Sequence, residues 1–289
     1  MHYEGTIIRP PSEAFSIILQ VTVGCSHDKC TFCGTYKGVR FRLKEEAIIE
    51  EDLEFAARYC RRQNRVFLAD GDVLSLPRHR LLDLFSRVRT HLPWVRRISL
   101  YGNERSIRGK SEQDLRALKE AGLDRVYMGL ESGHDQTLAV IRKGASAEAM
   151  VRAGRKVRAS GLFLSVTVLL GIAGDQGSLA HAEATGRVLT AMAPSQIGVL
   201  SLMLLPNTDL YRDAQAGRFT LPSPRGLLRE LRTIIDHIDL DRVQLQSNHA
   251  SNHLAIDCRL SRDKAAVLAR IDRALQGEIP LKPEYLRGL

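Results

Sequence analysis

The feature that most constrains the fold is a regular alternation of apolar, strand-like runs with helix-like segments. Six such runs occur, and in the segments between them the apolar residues repeat about every 3.6 residues, the period of a helix. The runs span residues 16–23, 65–70, 96–102, 124–130, 162–170 and 196–204. Because this alternation, with β-branched strands, is typical of a parallel sheet covered by helices, we predict an α/β fold. Six units favour a partial (βα)6 TIM-like barrel over an open sheet.

The alternation of strand-like and helix-like segments ends after residue 211. Two helical segments, 223–238 and 261–275, lie on either side of a polar stretch with no helical period. No linker-like or low-complexity segment separates this part from the rest of the chain. We therefore predict a lead-in over residues 1–15, a barrel over 16–211 and a short α-rich C-terminal extension over 212–289 that caps the barrel.

Composition narrows the function classes. The N-terminus lacks the layout of a signal peptide and the longest apolar run is too short to cross a bilayer, so we expect a cytoplasmic protein without a membrane partner. Lys and Arg number 42 against 33 Asp and Glu, and the resulting charge of +9 favours anionic partners such as nucleic acid, anionic metabolites or an acidic redox protein. No basic run is interleaved with aromatic residues, so nucleic-acid binding is not supported by the pattern.

Three of the five cysteines lie in one loop directly after the first predicted strand. Cys25, Cys30 and Cys33 are spaced C-x4-C-x2-C, whereas Cys60 and Cys258 stand alone and are interpreted as packing residues. In parallel α/β folds, such loops at the carboxyl ends of strands carry the chemistry. A structural zinc ion needs four ligands, which Cys258 or His27 would have to complete, whereas an iron–sulfur cube can leave one iron to a non-protein ligand.

The segment "GCSHDKCTFC" at the end of a first barrel strand resembles the radical S-adenosylmethionine (radical SAM) superfamily. The usual triplet of that family is C-x3-C-x2-C, so this chain has one extra residue in the first interval, while Phe32 keeps the aromatic residue before the last cysteine. The resemblance implies that Cys25, Cys30 and Cys33 ligate a [4Fe–4S] cluster whose fourth iron is chelated by SAM. It further implies reductive cleavage of SAM to a 5′-deoxyadenosyl radical that abstracts hydrogen from a substrate.

The resemblance also implies SAM contacts at the later strand ends. The residues that match in this way, or that neighbour the cysteines, are Phe32, Tyr36, Gly71, Asp72, Asn103, Glu131, Ser132, Gly171, Ile172 and Leu204. Gly71 and Asp72 resemble the family's GGE-type element. The segment "GLESG" around Glu131 resembles the motif that contacts the ribose or the amino-acid part of SAM, and "LLGIAG" around Ile172 resembles the adenine-side motif. A turn, a helix cap or core packing is the alternative role at these positions.

The polar stretch "QSNHASNH" of the extension supplies candidate substrate contacts. Asn248, His249, Asn252 and His253 are able to hydrogen-bond a polar substrate or relay a proton, and an ordinary structured loop is the alternative. No residue is assigned a catalytic role beyond cofactor binding.

The sequence therefore predicts a radical SAM enzyme that acts on a small or medium-sized substrate, and the positive net charge favours an anionic one. Its reaction needs a low-potential electron donor such as flavodoxin or ferredoxin. The alternatives are an RNA-modifying radical SAM enzyme and a non-catalytic iron–sulfur or zinc protein.

Overall fold

The computed structural model describes residues 1–288. The strands are β1 (Ile17–Gln20), β2 (Thr22–Val23), β3 (Arg42–Leu43), β4 (Arg65–Ala69), β5 (Arg97–Tyr101), β6 (Leu123–Glu131), β7 (Phe163–Leu170), β8 (Gln196–Ser201), β9 (Val243–Gln246) and β10 (Asp257–Leu260). The α-helices are α1 (Glu46–Tyr59), α2 (Arg78–His91), α3 (Glu104–Arg108), α4 (Glu112–Glu120), α5 (Asp135–Val140), α6 (Ala147–Ala159), α7 (Gly174–Met192), α8 (Asp209–Gln215), α9 (Pro224–Asp236) and α10 (Lys264–Gln276). No helix within residues 1–288 combines the length and the apolar character needed to span a membrane.

All six predicted strands are present. The first is interrupted at Val21, which divides it into β1 and β2, and the last ends at Ser201 rather than at Leu204. The chain forms two compact units, and β6 begins in the first and ends in the second.

The first unit comprises residues 1–28, 35–128 and 156–164. Its strands β1, β4, β5 and β6 pair in parallel in that order, with Leu19 opposite Leu68 and Leu68 opposite Leu100. These strands are apolar and almost wholly buried, as strands covered on both faces are. Because they are parallel, their carboxyl ends meet at one edge, which places the residues after β4 beside those after β5.

The lead-in is ordered against this unit by polar contacts. The Glu4 backbone N–H donates to Gln20 Oε1 at 2.8 Å. Glu13 is fully buried, and its Oε1 accepts hydrogen bonds from the Tyr127 hydroxyl at 2.6 Å and from Arg97 Nη2 at 2.8 Å. A buried carboxylate with a charged and a neutral donor is satisfied, so the lead-in is held in one position.

The second unit comprises residues 29–34, 129–155 and 165–288 of the described chain. Strands β7, β8 and β9 pair in parallel, and β10 is antiparallel to β9. The C-terminal extension thus contributes two strands besides its helices α9 and α10. In β9 the buried Val243 and Leu245 alternate with half-buried glutamines, a period-2 pattern that the surrounding polar residues obscure in the sequence.

Candidate functional site

The cysteine loop runs between β2 and β3 without helix or strand. In the first unit, the His27 backbone N–H lies 3.4 Å from Cys25 Sγ. In the second unit, Thr31, between Cys30 and Phe32, is held at both ends: its N–H donates to Ile141 O and its carbonyl accepts from Leu210 N, both at 3.0 Å. The last two cysteines therefore sit on a segment that is anchored through its backbone.

All five cysteines, which lie within the described part of the chain, are thiols rather than disulfides. Cys30 is buried, and Cys25 and Cys33 are half-buried. Across residues 1–288, no three His, Cys, Asp or Glu side chains are grouped as a metal-binding set. The donor chemistry of three thiols fits an iron–sulfur cluster, and the ligation by these three residues stays a prediction.

Gly71, directly after β4, packs against the start of the cysteine loop. A Cβ placed on Gly71 would lie 2.9 Å from Cys25 Cβ and 2.8 Å from Tyr36 Cε2, so a larger residue would displace one of them. The Gly71 N–H donates to Gly24 O at 3.2 Å, and the Tyr36 hydroxyl donates to the Asp70 carboxylate. The structure thus brings together three of the predicted site residues, Cys25, Tyr36 and Gly71.

Buried Asp72 is the centre of a hydrogen-bond network with exposed Ser26 and half-buried Asn103, which we call the Asp72 network. The Ser26 hydroxyl and Asn103 Nδ2, the latter at 2.8 Å, donate to Asp72 Oδ2, and the Asn103 N–H donates to Oδ1 at 3.3 Å. Burial raises the pKa of Asp72, whereas these donors and the positive charge of Lys110 lower it. The carboxylate therefore fastens the end of β4 to the end of β5 and to the cysteine loop.

Glu131 ends β6 and has a left-handed backbone, with φ of 62°. Its Oε1 accepts from Lys143 Nζ at 2.9 Å, and both side chains are only 12% exposed. A Cβ on Gly129 would lie 2.2 Å from Glu131 Oε1, and one on Gly133 would lie 2.6 Å from Ala184 O. A side chain at Gly133 would collide with the backbone of α7, whereas one at Gly129 would meet only the mobile ends of Glu131 and Lys143. Lys143 is the basic partner that positions the predicted SAM-contacting carboxylate.

A second buried network, the His181 network, comprises Ser132, His181, Glu230 and Gly171. The Ser132 hydroxyl is 2.7 Å from His181 Nδ1, and the Gly171 N–H donates to Glu230 Oε2 at 2.6 Å. His181 Nε2 and Glu230 Oε1 face each other at 3.7 Å. Neither of these two buried atoms has a hydrogen-bond partner within residues 1–288.

Burial decides the protonation of this pair. It lowers the pKa of His181 to about 3 and raises that of Glu230 to about 8, despite the donors Gly171 N–H and Ser178 that favour the Glu230 carboxylate. Both side chains are therefore neutral at pH 7. Neither residue is among those predicted from the sequence, although Glu230 lies on the apolar face of α9, among Leu227, Leu231 and Ile234, where a charged residue is unusual.

The apolar members of the predicted SAM site share one cluster in the second unit. Phe32 and Leu204, both half-buried, pack with buried Ile172 around Leu169 and Leu202. Gly171 has φ of 80°, and a Cβ there would lie 2.8 Å from Leu227. Phe32, Ile172 and Leu204 thus belong to one apolar cluster. Such a cluster agrees with core packing and also with contact to an adenine ring.

The four predicted substrate contacts divide into two pairs. Asn252 is buried, and its side chain bonds the Ser201 hydroxyl at 2.8 Å and Val199 O at 2.7 Å. His253 is buried as well, with Nδ1 2.7 Å from Lys282 O. These contacts hold the extension in place, while Asn248 is exposed and His249 is half-buried beside Ser251. Substrate contact stays a prediction for all four.

The predicted site residues lie in both units. Cys25, Tyr36, Gly71, Asp72 and Asn103 lie in the first unit, and the others lie in the second.

A protein-family model described as the radical SAM superfamily matches residues 19–178, more than half of the chain. A curated relative, the heme chaperone HemW of Bacillus subtilis (strain 168), is 25% identical over 158 residues. That match covers 54% of this chain and 41% of HemW, so this chain spans less than half the length of that relative.

Two solved structures are similar in fold. Methylornithine synthase (PylB) matches with a TM-score of 0.55 and 16% identity, over 76% of this chain and 62% of that one. Coproporphyrinogen III oxidase (HemN) from Escherichia coli, a radical SAM enzyme, matches with a TM-score of 0.53 and 15% identity, over 76% of this chain and 51% of that one. These matches confirm the predicted fold class, an α/β partial TIM-like barrel.

Proposed function

Because the chain belongs to the radical SAM superfamily, whose members use a [4Fe–4S] cluster and SAM, we propose that Cys25, Cys30 and Cys33 ligate the cluster. The chain is thus a radical SAM enzyme. When bound, these cofactors supply a 5′-deoxyadenosyl radical for hydrogen abstraction, and the protein supplies positioning and exclusion of water. The observation that carries the assignment is the packing of Gly71 against Cys25, because it sets a motif glycine beside a predicted ligand.

The other motif residues have separable roles in this proposal. The Gly71 backbone approaches the methionine part of SAM, since this position has no side chain to keep a ligand away. The carboxylate of Glu131, held by Lys143, accepts hydrogen bonds from the ribose or the amino group. Ile172 and Phe32 pack on the adenine ring, for which their apolar cluster is suited.

We propose a small or medium-sized, anionic substrate and a low-potential electron donor such as flavodoxin or ferredoxin. The net charge of +9 supports an anionic substrate and an acidic donor protein. Asn248 and His249 of the extension are the substrate-contact candidates whose side chains retain exposure. The similarity to a protein named a heme chaperone supports a second candidate function, the binding and transfer of heme.

The test is anaerobic reconstitution with iron and sulfide, followed by metal counting and reduction in the presence of SAM. We expect about four irons per chain in the wild type, none retained in Cys30→Ala, and 5′-deoxyadenosine only where the cluster forms. Cys258→Ala is the matched control, because Cys258, like Cys30, is a buried thiol and lies outside the triplet.

Two outcomes would contradict the proposal. Zinc in place of iron would overturn the cluster assignment. An intact cluster that never cleaves SAM, together with stoichiometric binding of heme, would favour the heme-transfer function instead.

A further inference from the structure

The His181 network joins two turns that carry predicted SAM contacts. Glu131, the last residue of β6, and Gly171, directly after β7, both have left-handed backbones, with φ of 62° and 80°. Ser132 follows the first turn, and Gly171 forms the second. Each is hydrogen-bonded to the same buried pair, His181 and Glu230.

The bonds at the first turn converge on Ser132 and its neighbours. The Ser132 hydroxyl accepts from the His134 N–H at 3.0 Å and lies 2.7 Å from His181 Nδ1. The Gly133 N–H donates to Thr185 Oγ1 at 2.9 Å, one helical turn from His181 on α7. The orientation of the peptide groups next to Glu131 is therefore determined by helix α7.

The second turn is oriented from helix α9. Glu230 Oε2 is the acceptor for the Gly171 N–H, and both groups are buried, so this bond is made in a medium of low dielectric constant. Without it, the Gly171 N–H would be a buried donor left unsatisfied, which is costly. The orientation of the peptide group between Leu170 and Gly171 thus depends on one carboxyl group.

We propose that His181 and Glu230 are positioning residues, which set the Ser132 and Gly171 turns relative to each other and thereby determine the affinity for SAM. The inference rests on the proposed function, because it assumes that Glu131 and Ile172 contact SAM. His181 acts through the side chain of Ser132, which accepts from the His134 N–H, and Glu230 acts through the Gly171 N–H. His181 Nε2 and Glu230 Oε1 face each other 3.7 Å apart. With a proton on one of these two atoms, a small shift of the side chains would bring them into a direct hydrogen bond.

A neutral pair explains why the arrangement is tolerated in the core. Two charges buried in the core carry a large desolvation cost, whereas a protonated carboxyl group facing a neutral imidazole needs only one shared hydrogen bond between them. The amide of glutamine offers the same acceptor and a donor. Glu230→Gln is therefore the conservative variant, and Glu230→Met removes the acceptor while it keeps a similar side-chain length.

The experiment measures the dissociation constant for SAM by isothermal titration calorimetry on reconstituted protein, together with iron content and melting temperature. We expect Glu230→Met and His181→Phe each to weaken SAM binding about tenfold, the loss of one buried hydrogen bond, and Glu230→Gln to stay within about twofold of the wild type. We expect the dissociation constant of the double variant to be within about twofold of that of either single variant, because the two residues act as one unit.

Ile235→Ala is the control for general destabilisation. Ile235 is fully buried on the same helix as Glu230, so its truncation lowers the melting temperature without removing a polar contact of the network. We expect its SAM affinity to match that of the wild type.

Several results would overturn the inference. If Glu230→Met binds SAM as tightly as the wild type, or if Ile235→Ala weakens binding equally, the pair has only a structural role. If Glu230→Gln is as weak as Glu230→Met, hydrogen bonding is not what the pair supplies. Wild-type protein that holds a cluster but does not bind SAM would overturn the proposed function, and this inference with it.

Discussion

The Asp72 network and the His181 network both use a buried carboxyl group to hold strand ends, one in each compact unit. Asp72 receives two side-chain donors and a backbone N–H, with the positive charge of Lys110 nearby. Glu230 receives one backbone N–H and the Ser178 hydroxyl, and it faces an uncharged histidine. The same group thus accepts from three donors close to a positive charge in one unit, and in the other it forms an incompletely bonded pair with a neutral histidine.

The largest effect is expected from breaking the Asp72 network. Asp72→Ala removes the buried carboxylate that accepts from Ser26 and Asn103, and it leaves the positive charge of buried Lys110 without the negative charge that offsets it. We expect the free energy of unfolding of the cluster-free protein to fall by about 3 kcal/mol. Urea denaturation followed by circular dichroism gives the value.

Glu230→Gln is the reference for that experiment, because it changes the other buried carboxyl group while it preserves hydrogen bonding. Its expected cost at pH 6.5 is below about 1 kcal/mol. If Asp72→Ala costs no more than Glu230→Gln, the two networks do not differ in the way described.

The pH dependence of the free energy of unfolding tests whether Glu230 is uncharged in the folded protein. The folded-state pKa of Glu230 is raised to about 8, above its ordinary 4.5, so its contribution to stability is present at low pH and is lost as pH rises to about 8. The folded-state pKa of His181 is lowered to about 3, so its effect has the opposite sign, and stability rises with pH until the unfolded state has lost its proton near 6.5.

Above pH 6.5 only the Glu230 effect remains. We expect the wild type to lose about 2 kcal/mol relative to Glu230→Gln between pH 6.5 and pH 8, since each unit of pKa shift corresponds to about 1.4 kcal/mol. Denaturation of both proteins at the two pH values measures the difference, in which other titrating groups cancel. A difference independent of pH would show that Glu230 is ionised in the folded protein.

These networks also show what the sequence predicts and what it cannot. Strand ends, the glycines of "GLESG" and the cysteine loop are readable because strand periodicity and turn chemistry are local properties. The partner of Ser132 is 49 residues away on α7, and it acquires that role only through the tertiary structure. No local pattern specifies such a contact, although Glu230 on an apolar helix face is a signal that something buried needs a polar partner.

The C-terminal extension gives the same lesson in a different form. Its helices α9 and α10 are predicted from apolar periodicity, whereas β9 and β10 are short and rich in Gln and Asp, so their alternation is weak. Asn252 and His253 look like exposed polar groups in the sequence. The structure buries them, because β8 and the C-terminal residues supply their hydrogen-bond partners.

Alanine substitutions at two glycines of the second unit, Gly171 and Gly217, distinguish the cost of backbone strain from the cost of a steric clash. Gly171→Ala places a Cβ at φ of 80°, 2.8 Å from Leu227 and 2.9 Å from Leu221. We expect a loss of about 1.5 kcal/mol in the free energy of unfolding. Gly217→Ala is the control, because Gly217 has φ of 70° and no atom within 4 Å of the added Cβ, so it reports strain alone. Equal losses would mean that the two leucines move aside freely.

The smallest effect is expected from the Thr185 side chain, and the variant tests whether its hydroxyl is a required acceptor for the Gly133 N–H. Thr185→Val keeps the shape of the side chain and removes the hydroxyl oxygen that accepts from the Gly133 N–H at 2.9 Å. The N–H is then unsatisfied, so we expect a loss of about 1 kcal/mol in the free energy of unfolding. Thr233→Val makes the same change on a half-buried threonine of α9 and should cost less than about 0.5 kcal/mol. If the two variants are equally stable, the Gly133 N–H finds another acceptor, and the turn after Glu131 is oriented by His181 and Ser132 without the help of Thr185.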